Sequence, residues 1–569
     1  MQIKIAAWIL SFLTLWIPAA AKAQSGSPLS RSVDSAVRGC APMSTLKVPL
    51  ITWGGDIPTI LANGMQRSTS AKSLFGAQGL QVSLAREDVF AKQLEAYLTC
   101  ESPFLRGTLG MIHMASEVTE RDPRTKLNVI YQLTWSSGGD ALVVKEGIKT
   151  ARDLKGKRIA IQEYGPHVEY LGKVLADAGL TFKDVQLRWV RDLTGSEATP
   201  GVALRDAEVH AAMVIIPDAL ALTSGGSVGT GAESSVRGAS ILLSTKSANR
   251  VIADVYAVRQ DFFEAQRATV QKFVLALMQA EEQASEIVSA KQTRPAEYNS
   301  LMTAAADLLL DSPQAIPDAE GLYADAEFVG WKGNVNFFTS DSYPRRFQTL
   351  SSELKSSFAT LGLVQNPSSV GWARWDFNLM KEGLRDTAGV EAPRFVQSEV
   401  QRVVAKKQQQ GTLADSGLFT FEVFFKPNQN EFSASLYQEA FDRAINLAST
   451  YGGAIITVEG HSDPLGYLQK KQGGAPEVAL RQIQQSAKNL SLGRANAVRD
   501  ALVSYAKSKG VILDPSQFAV IGYGIERPKS GLCGQLPCPP KTEQEWLDNM
   551  RVEFRLIQIE AETSVFNPL

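Results

Sequence analysis

Histidine and cysteine are scarce in this chain, four of each among 569 residues. The histidines, His113, His167, His210 and His461, stand at no metal-ligand spacing, so the sequence offers no metal site. His461-Ser462-Asp463 is not a triad, because neighbours on an extended chain point to opposite faces and a nucleophile needs its base across space. No catalytic residue and no cofactor motif emerges, which argues against an enzyme. "GSVGTGAESS" has the glycines of a phosphate cradle but lacks the Gly-Lys-Ser/Thr ending. Charge of one sign is also missing: 58 Lys and Arg balance 59 Asp and Glu, which excludes a field directed at nucleic acid or an anionic membrane. Beyond the first 25 residues there is no run of 18 apolar residues, so no spanning helix is expected.

What is present begins at the amino end. Lys4 precedes an apolar run from Ile5 to Ile17, and Ala21-Lys22-Ala23 closes a small-residue segment. This reads as a secretory signal peptide over 1–23, with Gln24 as the first mature residue and the periplasm as the destination. In an oxidising compartment, four cysteines permit three disulfide connectivities. Cys40 with Cys100 and Cys533 with Cys538 is the favoured pairing, since each then stays within one half of the chain. A zinc reading of "CGQLPC" lacks the other two ligands.

From 45 to about 390, strand and helix patterns alternate as in a parallel α/β domain. Arg158 to Gln162 reads as a strand. Leu171, Val174, Leu175 and Ala178 then recur at helical spacing, from a start near Pro166 to a stop at Gly179. "ARDLKGKRIAIQ", "LADAGLTFKDVQLRWV" and "ALRDAEVHAAMVIIPDA" together resemble the second-lobe pattern of type II periplasmic substrate-binding proteins, nearest the nitrate, taurine and thiamine-precursor group. The resemblance implies two lobes over 45–395, the second at about 141–245, joined by crossing strands and holding a small solute between them. It also implies an inner-membrane permease as a partner. His210 stands where that family usually has an acid.

Physical reasoning places the ligand at the carboxyl ends of the strands. "ITWGGD", "TWSSGGD" and "EYGPH" are such ends, and with "PFLRGTLGMI" they nominate Trp53, Arg106, Thr108, Trp135, Ser136, Ser137, Tyr164 and Gly165. An arginine with tryptophans and free N–H groups suits a small anion or a carboxylate. Equally, the tryptophans pack the hinge, Arg106 forms a surface ion pair, and Asp56 and Asp140 cap turns.

Residues 396–417 turn polar and read as a connector, helical at first and loosening at Gly411, that leaves the halves tethered but separable. A β-α-β-α-β plan follows over 418–562. Phe419, Phe421, Val423 and Phe425 alternate as in a half-buried strand; a helix begins near 435 and another at Ser491. "FFKPN", "VEGHSDPLG", "LSLGRANAVRDAL", "GYG" and "NMRVEF", in that order, resemble the OmpA C-terminal, peptidoglycan-binding family. The whole is thus expected to be α/β, a two-lobed periplasmic binding protein-like domain followed by an OmpA-like α/β sandwich.

The second resemblance implies that Asp463 takes the ammonium and Arg494 the carboxylate of a diaminopimelate side chain in the cell wall, with Asn428, Ser462 and Arg551 as further contacts. Ser491 as N-cap would put Arg494 in a first helical turn, where the helix dipole favours a bound carboxylate. A structural Asp463–Arg494 ion pair is the plain alternative. Two departures stand out, Lys426 in place of a frequent acid and a long loop over 467–489. The functional expectation is a solute-binding or sensing protein held to peptidoglycan; the alternative is a wall-bound scaffold whose two-lobed half docks a protein.

Overall fold

The computed structural model describes residues 28–41, 43–366, 368–385, 395–411, 413, 417–425, 437–534 and 536–557. The expected signal peptide, Lys426 and Asn428 lie outside the described residues. In the first lobe, β1 (Leu46–Leu50) is followed by α1 (Ile57–Ala62), α2 (Leu74–Ala77) and β2 (Val82–Arg86), which pairs with β1 in parallel. Next come α3 (Phe90–Leu98), β3 (Phe104–Thr108), α4 (Leu109–Thr119) and the long β4 (Leu127–Ser136).

The second lobe is built from β5 (Asp140–Val144), β6 (Arg158–Gln162), α5 (His167–Asp177), β7 (Gln186–Val190), α6 (Pro200–Ala203), β8 (Ala211–Ile215), α7 (Ile216–Leu222) and β9 (Ser240–Ser244). Its sheet runs β7-β6-β8-β5-β9, parallel through β7, β6 and β8 and antiparallel around β5. Leu171, Val174 and Leu175 bury one face of α5, and Gly179, at a φ of 75°, lets the chain turn away.

The chain then recrosses on β10 (Ala253–Arg259), antiparallel to both β3 and β4, so that β4 and β10 are the two crossings between lobes. Helices α8 (Gln260–Ala265), α9 (Arg267–Ser289), α10 (Pro295–Leu310) and α11 (Ile316–Ala324), strand β11 (Ala326–Phe328), helices α12 (Gly330–Thr339) and α13 (Phe347–Leu361) and strand β12 (Gly371–Trp372) follow. Both β11 and β12 pair with β4. Helix α13 straddles the lobes. Its Ser351 hydroxyl lies 3.0 Å from Nε2 of His113 on α4, while its Ser357 sits against Gly172 on α5.

In the last module, α14 (Gln397–Gln409) precedes β13 (Gly417–Phe424), α15 (Gln438–Thr450), β14 (Ile455–His461), α16 (Leu465–Gln472), α17 (Glu477–Ser508) and β15 (Phe518–Gly524). A small hairpin, β16 (Leu532–Cys533) with β17 (Leu536–Pro537), leads into α18 (Glu543–Asn549) and β18 (Arg551–Ile557). The sheet order is β13-β18-β14-β15. Phe419, Val423, Ile456, Val458, Val552 and Phe554 form its inner face with α15 and α17. Gly460 is what lets α17 lie this close, since a Cβ there would stand 2.0 Å from the Ser491 carbonyl. Disulfides join Cys40 to Cys100 and Cys533 to Cys538.

Two expectations need correction. Residues 397–409 are not a loose connector: Val400, Val403 and Val404 fall on one face of α14 and, with Phe395 and Leu413, bury against Ile455, Ala519, Ile521 and Ile557. Burial of each such valine contributes about 1.5 kcal/mol or more, enough to hold a short helix on the sheet. Nor are the halves separate. The Tyr451 hydroxyl donates to Asp177 (2.9 Å), Lys173 to Asn446 (2.9 Å), Arg250 N to Thr450 O (3.2 Å) and Gly453 N to Ser247 O (3.2 Å). A Cβ at Gly453 would stand 1.7 Å from the Lys246 carbonyl, so this seam closes only around glycine.

Candidate functional site

The carboxyl ends of β13, β14 and β15 and the start of β18 meet at one end of the last sheet. There the Asp463 carboxylate accepts from the Leu465 amide (2.8 Å) and from Nδ2 of Asn549 (2.9 Å). Asn549 is fully buried, and its own oxygen accepts from the amides of Lys529 and Ser530, so it is a rigid clamp on Asp463. Burial raises the Asp463 pKa, opposed by these two hydrogen bonds. The next residue, Met550, accepts from the Phe425 amide (2.8 Å), and the Phe425 ring lies 5.7 Å from the Arg494 guanidinium.

Arg494 is only 7% exposed, its Nε has no partner, and no protein group accepts from its guanidinium among the described residues. Burial alone lowers its pKa. The structural Asp463–Arg494 ion pair is therefore not formed. A buried guanidinium N–H without an acceptor is a costly arrangement that a carboxylate would relieve.

Contrary to the expectation from Ser491 as a cap, Arg494 does not stand in a first helical turn. Helix α17 begins at Glu477, so Ser491 and Arg494 lie inside it, and Ser491 instead donates to Lys488 O (2.9 Å) and accepts from Gly524 N (2.9 Å). Between Pro476 and Gly493 the sequence is built of good helix formers with nothing to stop it. The expected loop over 467–489 is accordingly α16 and the first turns of α17. Ser462 uses its amide on Gly524 O and its hydroxyl on Ala487 O, which ties strand to helix. Arg551 faces Glu422 and Glu553 at 3.3 Å each, so its charge is already matched. Both are thus removed as free ligand groups.

On the same sheet, Glu459, His461 and Glu553 bring ligand-type atoms within 4.8 Å of one another. Arg555 already faces both carboxylates, at 3.2 Å from Glu459, and Arg551 faces Glu553. Burial and these arginines push the His461 pKa down to about 3, which keeps the ring neutral. The arrangement is an ion-pair ladder rather than a cation cradle.

In the two-lobed half, the predicted ligand residues are drawn into the interior of the hinge. Arg106 is fully buried on β3, with Nε 2.9 Å from Asp56 and Nη1 2.9 Å from Asp254 on β10. Burial raises the Asp254 pKa to about 6 against the pull of Arg106. Asp254 also accepts from Thr134, which in turn accepts from the Trp53 indole N–H (3.1 Å). Arg106 is thus a buried double ion pair and not a surface one, while its Nη2 has no hydrogen-bond partner among the described residues.

Trp135 is 2% exposed and packs edge-on to Phe337, so it is core and not cleft wall. Thr108 caps α4 by accepting from Met111 N. The Ser136 hydroxyl donates to Asp140 (2.6 Å), and Ser137 N donates to Asp325 O (2.8 Å). Asp56 and Asp140 are therefore ion-pair and hydrogen-bond partners more than turn caps. Tyr164, at a φ of 59°, and Gly165 shape the turn before α5. A Cβ on Gly165 would strike the Gln162 side chain at 2.2 Å.

Sequence reading missed the acids that finish the interlobe surface. Glu169 reaches from α5 across to the first lobe, where it accepts from Gly110 N (3.1 Å); burial, with Asp254 and Asp140 nearby, lifts its pKa to about 8. His167, also fully buried, lies 2.7 Å from Asp140. Asp325 is half-buried beside Gly138, and burial followed by Asp140 lifts its pKa to about 7. A lone acid inside the apolar run "VIADVYAV" was a legible sign of Asp254 as a buried partner.

Residues 71–286 match the family model described as NMT1/THI5 like. No curated protein matches the chain. Among solved structures, the periplasmic sulfonate-binding protein SsuA of a sulfonate ABC transporter from Methylobacillus flagellatus is 15% identical, with a TM-score of 0.41, over 63% of this chain and 99% of that one. The alkanesulfonate-binding protein SsuA from Xanthomonas axonopodis pv. citri is 15% identical, at a TM-score of 0.39, over 58% of this chain and 98% of that one. The aliphatic sulphonate binding protein SsuA from Escherichia coli is 16% identical, at 0.38, over 62% and 98%. At that level of similarity they say nothing of what this chain binds. No helix among the described residues is long and apolar enough to cross a membrane.

Proposed function

We propose that the chain is a periplasmic solute-binding or sensing protein of the ABC-transporter type, held non-covalently to peptidoglycan by its last module. The observation that supports the anchoring half is the buried Arg494, whose Nε meets no acceptor among the described residues, near the same sheet end as an Asp463 fixed by Asn549. Diaminopimelate ends in a carboxylate beside an ammonium, so one guanidinium and one carboxylate a few ångströms apart read it in full. The family match over 71–286 and the two crossings β4 and β10 support the solute-binding half.

Co-sedimentation with purified sacculi tests the reading. Asp463→Asn and Arg494→Ala should each weaken pelleting by about 2–4 kcal/mol, because each strands the opposite charge of the bound zwitterion. Pelleting equal to wild type in both variants would remove the wall from the assignment.

A further inference from the structure

Two helices begin where the lobes face each other, α4 on the first lobe after Thr108 and α5 on the second after Pro166. A helix start leaves first-turn N–H groups without an intrahelical acceptor. On α4 the Met111 amide finds its acceptor within the lobe, in Thr108 Oγ1 at 3.2 Å. The buried Gly110 amide finds its acceptor on the other lobe, in Glu169 Oε2 at 3.1 Å. Glu169 stands in the first turn of α5, so a single carboxyl lies between two helix starts, a position that ordinarily draws a bound anion. Here the chain supplies the group itself.

The contact closes only around glycine. A Cβ on Gly110 would stand 2.9 Å from Glu169 Cδ and 3.0 Å from its Cβ and Oε2. Close by, the Tyr164 hydroxyl of the turn before α5 lies 3.4 Å from that of Ser32, beside a turn packed on α4. The charged groups around Glu169 leave it unanswered. Asp254 on β10 and Asp140 on β5 are acids, and His167 is held by Asp140. Glu169 also borders a cavity of about 490 Å³ between α5 and α13, but there Lys173 pairs with Asp177 and Arg345 with Glu353. Burial, with the nearby acids, therefore favours the neutral carboxyl. In that form it accepts from Gly110 at no cost in buried charge.

We propose that the Glu169–Gly110 contact is a latch that holds the two lobes shut without solute, and that loss of the Glu169 proton releases it. The proton passes to solvent, and the carboxylate, left beside two acids, moves out to water. On the solute-binding reading, opening admits solute between the lobes; the contact itself does not depend on that reading.

The experiment uses the full chain with no solute added, from pH 6 to pH 9. Hydrogen exchange of the Gly110 amide is followed by NMR in glycine-labelled protein, with the signal identified by its absence from Gly110→Ala, and the radius of gyration is followed by small-angle scattering. In wild type, protection of Gly110, corrected for the intrinsic effect of pH on exchange, should fall about tenfold or more as the radius grows. Glu169→Gln should hold both constant, since its amide oxygen still accepts from Gly110 N and cannot ionise. Glu169→Ala and Gly110→Ala should show the larger radius at every pH. Gly110 as well protected in Glu169→Ala as in wild type at pH 6 would overturn the latch. So would wild type and Glu169→Gln changing in step with pH, and the glutamine variant keeps the buried contact should the alanine variants not fold. Because no solute takes part, a failed latch leaves the solute-binding reading untouched, and a chain that binds no solute can still show the latch.

Discussion

Glu169 gives the sharpest test of the interlobe surface. Its carboxyl has an ordinary pKa of 4.5 and is lifted to about 8 by burial, with Asp254 and Asp140 adding repulsion and Thr108 and the Gly110 amide opposing it. Between those values the unfolded chain has lost the proton while the folded chain keeps it, so folding stability is full below about pH 4.5 and drains away as pH rises through 8. At about 1.4 kcal/mol per unit, the loss approaches about 3–5 kcal/mol. Glu169→Gln removes the ionisation and keeps an acceptor for Gly110 N. Urea unfolding from pH 5 to pH 9 should show the two proteins equal at the acid end and the glutamine variant increasingly more stable toward pH 8. Parallel profiles across the range would refute the placement of this carboxyl in a desolvated interlobe position.

Arg106→Ala should destabilise the folded chain by about 3–5 kcal/mol with or without solute, because it strands two buried carboxylates; thermal unfolding measures this. Reduction of Cys40–Cys100, which spans 60 residues, should remove about 4 kcal/mol by releasing the unfolded chain, and a reductant-insensitive transition would contradict it. Val403→Asp buries an unpaired charge under α14 and should expose Lys406 and Lys407 to trypsin, while wild type resists cleavage there.

The sequence carried local order well and long-range pairing poorly. The 3.6-residue recurrence of Leu171, Val174 and Leu175 marks α5, and the alternation of Phe419 and Val423 marks the buried face of β13, because both depend on neighbours in the chain. Arg106 was misjudged because its partners lie 50 and 148 residues away; only the fold reveals that its charge is already answered. The start of α17 was misplaced for the opposite reason: Ser491 has the chemistry of a cap, but fourteen helix-compatible residues upstream of it outweigh one local signal. Helix α14 looked like a linker because its polar face is rich in Lys and Gln, while three valines set its fate. In the candidate wall site, Asp463 and Arg494 were legible as motif residues, whereas Asn549, which aims Asp463, was hidden in an unremarkable helix end.

The seam through Tyr451 and Asp177 has a further consequence. A wall-binding module on a floppy leash would leave its cargo domain tumbling, with every orientation open to it. Here α5 of the second lobe is bolted to the module through Asp177 and Lys173, and Gly453 closes the joint. On the proposed reading, copies bound to the wall would share one heading relative to the peptide they grip, like compass needles on a common dial. Any opening between the lobes then becomes a swing of the first lobe against a stationary second one.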